Sequence, residues 1–143
     1  MNAGRLQESV TIRLSHSDAA GVIFFPNAFM LEQESFERWL EGGGILLREM
    51  LEGMLAPTPV VHCEADFSCP VRVGDRVVMR LAGVGVGETS FTLAWAMELG
   101  GRVAIAVRVR RVSVDPASGR AIGLPERLRT LLAASQAATS TIS

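Results

Sequence analysis

The chain lacks lysine and tyrosine altogether, and all 14 of its basic residues are arginines. An anion site must therefore use arginine side chains or backbone N–H groups, and no tyrosine hydroxyl can serve as an acid. Cysteine and histidine are also scarce, with two residues each (Cys63, Cys69, His16 and His62), and their spacing matches no zinc motif. We expect two free thiols in a reducing compartment and no bound metal.

An excess of one charge and long apolar runs are missing as well. The formal net charge is −1, whereas a chain that binds nucleic acid would need a basic face. No apolar run reaches the ~18 residues needed to cross a bilayer. Residues 1–8 lack the hydrophobic region of a signal peptide. We expect a cytoplasmic protein that binds neither nucleic acid nor a membrane.

Apolar residues, in contrast, make up 48% of the 143 positions. The length fits one domain, residues 1–143, with its core from about residue 7 to residue 134. The apolar content is high for a soluble domain of this size, so we expect a homo-oligomer in which a partner chain covers part of the surface. Residues 135–143 are mostly small and polar, and we expect this tail to be frayed.

The hydrophobic period alternates between that of strands and that of helices. Residues 7–14 predict a first strand, and residues 26–41 predict a long helix that begins at Pro26. The remaining elements are shorter helices near 45–54 and 125–134, and strands near 61–67, 76–84, 91–99 and 103–111. Most of the strands are linked by glycine-containing hairpins, which make the sheet antiparallel. The order predicts an α+β fold in which a five-stranded antiparallel sheet wraps around the long helix, the hot-dog arrangement.

Two details of the pattern are specific enough to check. The long helix is expected to bury one apolar stripe, interrupted by Glu32 and Gln33 and formed by Phe25, Phe29, Phe36 and Leu40. In the last strand the alternation shifts by one residue at Arg110–Arg111, which indicates a β-bulge.

Asp18 is the leading candidate for chemistry, because it lies three residues before Gly21 and upstream of the helix start at Pro26. The first turn of a helix presents unpaired N–H groups and a positive dipole end, which polarise a carbonyl and stabilise an oxyanion. A carboxylate on the other side of that carbonyl could attack it or activate water. A thioester is the natural target, since a thiolate leaves without a strong acid. The alternative is that Asp18 only caps a turn or the helix.

Each histidine allows a structural and a functional interpretation. His16, two residues before Asp18, could orient that acid or simply be exposed. His62 shares the polar face of a strand with Glu64 and Asp66, as a surface cluster or as a catalytic group. No Ser or Cys is placed with either histidine as a catalytic triad.

Two other features have plain structural interpretations. Glu34, in the middle of the long helix, could act as a second acid, face solvent or form a helix-surface pair with Arg38, four residues on. The glycine-rich segment 83–87 is no phosphate loop, because neither Lys-Ser/Thr nor a helix follows it.

The segment 17–27, Ser-Asp-Ala-Ala-Gly-Val-Ile-Phe-Phe-Pro-Asn, resembles the signature of the 4-hydroxybenzoyl-CoA thioesterase family of hot-dog proteins. That signature runs Asp-x-Ala-Gly, an apolar pair, an aromatic pair and Asn/Pro. The similarity continues in residues 58–67, 70–75 and 120–126, and it covers roughly residues 8–134. Within the family, the stretch 61–67, the Pro-x-x-x-Gly-Asp after it and the closing Leu-Pro-Glu most resemble the 1,4-dihydroxy-2-naphthoyl-CoA hydrolases of phylloquinone and menaquinone biosynthesis.

The resemblance implies roles for individual residues. Asp18 would be the catalytic nucleophile or general base, and the backbone N–H of Phe25 would polarise the thioester carbonyl, with Gly21 allowing close approach. Arg120 would contact CoA, and His16 is the second candidate for substrate binding. The family often has Tyr in place of Phe25. Basic residues that can contact CoA phosphates are missing from the hairpin 87–89.

The implied function is hydrolysis of an aromatic acyl-CoA, with 1,4-dihydroxy-2-naphthoyl-CoA preferred. The enzyme would be a homo-oligomer, expected as a dimer of dimers, without metal or cofactor other than the CoA of its substrate. Alternative substrates are 4-hydroxybenzoyl-CoA, another acyl-CoA or an acyl-carrier-protein thioester. A non-catalytic acyl-CoA-binding protein is the alternative from another class. Dehydration of a hydroxyacyl thioester comes last, because only His62 could serve it.

Overall fold

The computed structural model describes residues 2–142. Along the chain lie strand β1 (Gln7–Thr11), helices α1 (Pro26–Gly42) and α2 (Leu47–Leu51), strands β2 (Val60–Phe67), β3 (Arg76–Val86), β4 (Ser90–Leu99) and β5 (Arg102–Val112), helix α3 (Glu126–Ala138) and strand β6 (Ser140–Thr141). The sheet order is β1-β3-β4-β5-β2 with antiparallel neighbours, and β6 adds a short parallel pairing to β3. The predicted α+β hot-dog fold is confirmed.

Helix α1 packs one side against the sheet and forms the centre of the core. Its buried apolar residues are Ala28, Leu31, Phe36, Trp39 and Leu40. The predicted stripe is therefore only half right: Phe29 is partly buried, and the side chain of Phe25 is 61% exposed. The reason is that Phe25 is the N-cap residue, before the regular helix begins. None of the described helices is both long enough and apolar enough to cross a membrane.

The predicted shift at Arg110–Arg111 is wrong for β5. This strand keeps its alternation, so that Arg111 follows Val107 and Val109 on the buried face and is 1% exposed. The register irregularity lies in the neighbouring strand β2, between Val60 and His62. A charged residue is expected on the exposed face of a strand. The sequence could not show that Arg111 has a buried partner, because that partner, Glu32, comes from a distant helix.

The prediction of a frayed C-terminal tail is also wrong for the described residues. Helix α3 continues to Ala138, because buried Ser135 accepts a hydrogen bond from Trp39 Nε1 (2.9 Å) and donates one to the Ala3 carbonyl (2.7 Å). Strand β6 follows, and the N–H of Ile142 donates to the Val84 carbonyl at 3.1 Å. The tail predicted to be frayed is thus part of the sheet through Ile142, and Ser143 lies outside the described residues.

The glycine-rich segment 83–87 makes room for this tail. A Cβ atom on Gly83 would lie 2.7 Å from the Ile142 side chain, and one on Gly85 would lie 2.9 Å from the Ile142 carbonyl oxygen. Such contacts are too short for a side chain. Glycine is therefore required here by the close approach of the chain end.

Strand β2 forms one edge of the sheet, paired to β5 alone. All of its residues except Ala65 are exposed, including the apolar side chains of Val60, Val61 and Phe67. The two ends of β2 lie at different distances from Asp18. The chain leaves the Phe67 end and reaches Val71, which hydrogen-bonds the hairpin that carries Asp18. The Phe67 end is near Asp18, and the Val60 end is remote from it.

Candidate active site

Residues 16–24 form a tight hairpin that presents Asp18 at its turn. Ser17 and Ile23 face each other across the hairpin, and the Asp18 N–H donates to the Val22 carbonyl at 3.0 Å. Gly21 has a φ of +78°, the left-handed conformation that favours glycine. Open space lies where its side chain would be, so the backbone conformation explains the residue. The hairpin is held to the rest of the chain by the Ile23 N–H, which donates to the Val71 carbonyl at 2.7 Å.

The carboxylate of Asp18 is exposed and only half engaged. Its Oδ1 accepts the N–H of Ala20 at 2.8 Å, and Gly21 N–H donates to the Asp18 carbonyl at 3.1 Å. Asp18 thus caps its own turn, while α1 has no side-chain cap. Within residues 2–142, the Oδ2 atom of Asp18 has no hydrogen-bond partner. Turn capping and chemistry are therefore compatible, because each can use a different oxygen.

The start of α1 leaves one backbone N–H donor free, at the N-cap residue of the helix. Pro26 has no N–H, the Asn27 N–H donates to the Phe24 carbonyl (2.8 Å), and the Ala28 N–H donates to the Phe25 carbonyl (3.2 Å). Among the described residues the N–H of Phe25 makes no hydrogen bond. Asp18 and Phe25 are separated by about three residues along the hairpin, roughly 10 Å at the rise of a strand. A carbonyl group fits between two such positions.

His16 and Asn27 hold this geometry rather than face the reacting groups. His16 Nδ1 accepts the Arg13 N–H at 2.9 Å, and the His16 carbonyl accepts both the Phe24 N–H (2.9 Å) and Asn27 Nδ2 (2.8 Å). The side chain of His16 therefore closes its own turn and makes no hydrogen bond to Asp18. Asn27 joins the helix start to the hairpin. The sequence showed it only as part of the family signature.

The structure does not bring Arg120 to Asp18 within one protomer. Arg120 belongs to the turn after β5, where its carbonyl accepts the Asp115 N–H at 2.8 Å. That turn lies beyond the Val60 end of β2, whereas Asp18 lies beyond the Phe67 end. Seven residues of β5, from Ile105 to Arg111, lie opposite β2 between its two ends, which corresponds to roughly 20 Å.

The other titratable candidates are also remote or engaged elsewhere. His62 Nε2 lies 3.2 Å from Glu64 Oε1 on the exposed strand β2, as expected for a surface cluster. The predicted pair of Glu34 with Arg38 is wrong: Arg38 Nε binds Glu8 of β1 at 2.6 Å instead. Arg38 turns away from Glu34 because β1 runs alongside this flank of α1.

Both cysteines are free thiols, as predicted. Across the described part of the chain, no cluster of three His, Cys, Asp or Glu side chains is arranged to hold a metal ion.

Two cavities flank the ends of β2. The first, about 310 Å³, adjoins the Asp18 hairpin and is lined by Val22, Phe67, Cys69 and neighbouring residues. The second, about 340 Å³, lies at the Val60 end between α1, α2 and β5. Its lining is mostly apolar, with polar groups from Gln33, Thr58 and Arg111.

A buried polar network stands behind the second cavity, and sequence reasoning missed it. Arg111 donates to both carboxylate oxygens of Glu32 (3.0 and 2.7 Å) and to Gln33 Oε1 (3.0 Å), and its guanidinium lies 3.7 Å from the ring centre of Phe36. Trp95 Nε1 donates to Glu32 at 3.0 Å. The Gln33 amide is thus held at the cavity wall. The only sequence signal was that Glu32 and Gln33 interrupt an apolar stripe.

Comparison with known proteins agrees with this fold. No family model matches the chain. A 1,4-dihydroxy-2-naphthoyl-CoA hydrolase from Acaryochloris marina is 32% identical over 123 residues, which cover 84% of this chain and 90% of that protein. The 1,4-dihydroxy-2-naphthoyl-CoA hydrolase of Synechococcus sp. strain CC9605 is 33% identical over 135 residues, covering 91% of each.

A solved structure supports the same architecture. The 1,4-dihydroxy-2-naphthoyl-CoA thioesterase from Synechocystis matches with a TM-score of 0.82 over 90% of this chain and 95% of that chain, at 20% sequence identity. Fold, hairpin and sequence similarity lead to one conclusion: the chain belongs to the hot-dog thioesterase family and is an acyl-CoA thioesterase.

Proposed function

We propose that this thioesterase hydrolyses an aromatic acyl-CoA, and that its substrate is 1,4-dihydroxy-2-naphthoyl-CoA. The observation that carries the proposed chemistry is the pair of free groups at the hairpin, the Oδ2 atom of Asp18 and the N–H of Phe25. The choice of acyl group is supported by the two hydrolases that are 32% and 33% identical to this chain.

In the proposed mechanism the thioester carbonyl oxygen accepts the Phe25 N–H. Asp18 either attacks the carbonyl carbon or removes a proton from a water molecule that attacks it. In the first route the C–S bond breaks, CoA leaves as a thiolate, and water then hydrolyses the acyl–Asp18 anhydride. In the second route the water oxygen enters the product directly, the C–S bond breaks, and CoA leaves as a thiolate. A backbone donor of this kind contributes on the order of 3 kcal/mol to lowering the barrier.

We further propose that two protomers pair along β2. This edge is eight residues long and exposed, and it carries apolar side chains, which is the type of edge that binds a second chain. Two-fold antiparallel pairing would set the Phe67 end of one β2 beside the Val60 end of the other. Asp18 would then lie near the second cavity of the partner subunit and near Arg120 of the partner subunit. Within one protomer, Asp18 is far from both.

The second cavity is our proposed acyl site. Its apolar walls suit an aromatic ring system, and Gln33 and Thr58 offer hydrogen bonds to ring hydroxyls. Because Arg111 binds Gln33 Oε1, and Gln33 Nε2 donates to Glu37 at 3.1 Å, the orientation of the Gln33 amide is defined.

A panel of acyl-CoAs, followed by thiol release, tests the substrate. We expect the highest kcat/KM for 1,4-dihydroxy-2-naphthoyl-CoA, a lower value for 4-hydroxybenzoyl-CoA and the lowest for straight-chain acyl-CoAs. The variant Gln33→Leu should reduce the preference for hydroxylated over unsubstituted naphthoyl-CoA by about tenfold. Faster hydrolysis of straight-chain substrates by the natural chain would refute the aromatic assignment.

A further inference from the structure

Arg72 lies beside the Asp18 hairpin, on its outward face. Val22 and Arg72 face each other in a small antiparallel pairing, closed by the Ile23 N–H to the Val71 carbonyl (2.7 Å) and the Val73 N–H to the Gly21 carbonyl (3.1 Å). Val71 and Ile23 are buried, so the alternation turns Val22 and Arg72 away from the core.

The same alternation places Asp18 on that face. Asp18 is opposite Val22 in the hairpin, and Val22 is opposite Arg72. Two steps between neighbouring strands separate the Cα atoms of Asp18 and Arg72 by about 10 Å. Arg72 is therefore outside contact with the reacting carbonyl, but close enough to touch a long substrate that starts there.

Two more arginines surround the same turn. The Ile12 N–H donates to the Asp75 carbonyl and the Gly74 N–H donates to the Ile12 carbonyl, both at 2.8 Å, which brings Arg13 to the 72–75 turn. Arg76 begins β3, opposite Thr11. We call Arg13, Arg72 and Arg76 the arginine rim.

All three side chains of the arginine rim are exposed. Over residues 2–142, none of its three side chains forms an ion pair with a carboxylate. The nearest acid in sequence, Asp75, uses its Oδ2 atom to accept the backbone N–H of Arg72 at 2.8 Å. With three exposed cationic side chains around one turn, a bound anion would be attracted by each of them.

We propose that the arginine rim binds the phosphate groups of CoA. This inference rests on the proposed function, because it takes the thioester carbonyl to lie between Asp18 and Phe25. The pantetheine arm then carries the phosphates away from the carbonyl, and the Cα atom of Arg72 lies about 10 Å from that of Asp18 on the same face. Since the chain has no lysine and the hairpin 87–89 has no basic residue, arginines elsewhere must supply this recognition. Arginine suits it, because its guanidinium donates two hydrogen bonds to one phosphate.

The test compares two thioesters of one acyl group, on CoA and on N-acetylcysteamine, which lacks phosphates. The variant Arg72→Gln should raise KM for the CoA thioester about tenfold with little change in kcat, the size expected for one exposed charged hydrogen bond. Kinetics with the N-acetylcysteamine thioester should not change. Arg48→Gln, an exposed arginine of α2, is the matched control and should behave like the natural chain. Melting curves show whether each variant is folded.

Direct binding separates this proposal from the proposed function. Calorimetry with CoA and with adenosine 3′,5′-bisphosphate should show weaker binding to Arg72→Gln, and weaker still to the triple variant Arg13→Gln/Arg72→Gln/Arg76→Gln. Added salt should weaken CoA binding to the natural chain more than to the triple variant. Unchanged CoA affinity in the triple variant would overturn the proposal that the arginine rim binds the CoA phosphates. An equal rise in KM for both thioesters in Arg72→Gln would overturn it as well. If the natural chain hydrolyses neither thioester, the proposed function fails, while the binding result still decides the rim.

Discussion

At the scale of single residues, the hairpin satisfies nearly all of its own polar groups and leaves two of them available. The turn uses Oδ1 of Asp18 but not Oδ2, and the start of α1 uses the N–H groups of Asn27 and Ala28 but not that of Phe25. The side chain of Phe25 is exposed and its φ is −54°. Its proposed contribution to catalysis is therefore a backbone group, which does not depend on the side chain at this position.

The role of the Phe25 N–H can be tested without deleting a hydrogen bond of the fold. Proline accepts a φ near −65°, so Phe25→Pro removes the N–H at a compatible position. We expect kcat to fall by about 100-fold, the usual loss for one oxyanion donor. Phe25→Ala keeps the N–H and should retain most of the activity. Equal activity of the two variants, measured by thiol release, would contradict the proposed role.

The sequence pointed to Asp18 because a short-range motif carries the signal. Asn27 was missed as a positioning residue because its partner is a backbone carbonyl, that of His16, which no residue pattern reveals. Arg120 and the second cavity could not be related to Asp18 either. Asp18 lies beyond one end of β2, and Arg120 and the second cavity lie beyond the other end. The sequence alone does not show that these sites flank opposite ends of the same strand.

At the scale of elements, the tie between α1 and β5 is the buried ion pair of Glu32 and Arg111. These residues are 79 positions apart, and both side chains are at most 2% exposed. The periodicity of the sequence could place each on its own element. It could not show that two charges on apolar faces meet, so Glu32 looked like an interruption and Arg111 like a bulge.

We expect Arg111→Met to destabilise the fold by about 3 kcal/mol, because it leaves the Glu32 carboxylate buried with Trp95 as its remaining donor. The double variant Glu32→Gln/Arg111→Met should be more stable than Arg111→Met alone, since no charge is then buried without a partner. Chemical denaturation measures both. A double variant whose loss equals the sum of the two single losses would show that the pair is not coupled.

The contact between α2 and α3 predicts a pH dependence. The Arg127 guanidinium hydrogen-bonds Glu49 at 3.0 Å and, with the Leu46 N–H, holds the pKa of that carboxyl below its usual value. A lowered pKa in the folded state contributes stability above the ordinary glutamate pKa of about 4.3, and this contribution is lost as the pH falls through the lowered value. Arg127→Gln should therefore lower the melting temperature more near neutral pH than in acid. An equal loss at both pH values would argue against the linkage.

At the scale of the whole molecule, the order β3-β4-β5 was predictable, because hairpins place these successive strands side by side. The pairing of β1 with β3 and of β2 with β5 joins strands that are distant in sequence, and no local pattern reveals it. The ordered tail was not predictable, since its small polar residues resemble a loop and its place depends on Gly83 and Gly85, more than 50 residues earlier. The exposed edge β2 is the part of the molecule where we propose that a second chain pairs.

Pairing along β2 predicts that one charge at this edge separates the protomers. We expect Val61→Lys to shift the species seen by light scattering to the monomer and to reduce kcat/KM, because the proposed acyl site comes from the partner. Val103→Lys is the control, since Val103 is similarly exposed but on β5, which has a neighbour on each side. An active Val61→Lys monomer would contradict a site completed by the partner.

The most direct test of the whole account is thiol release from 1,4-dihydroxy-2-naphthoyl-CoA by Asp18→Asn. This variant keeps the oxygen that accepts the Ala20 N–H, so the hairpin should remain folded and CoA binding should persist. We predict that kcat falls by at least about 100-fold, the scale on which a positioned acid–base group acts. Hydrolysis at the rate of the natural chain, with the fold and binding unchanged, would remove Asp18 from the mechanism.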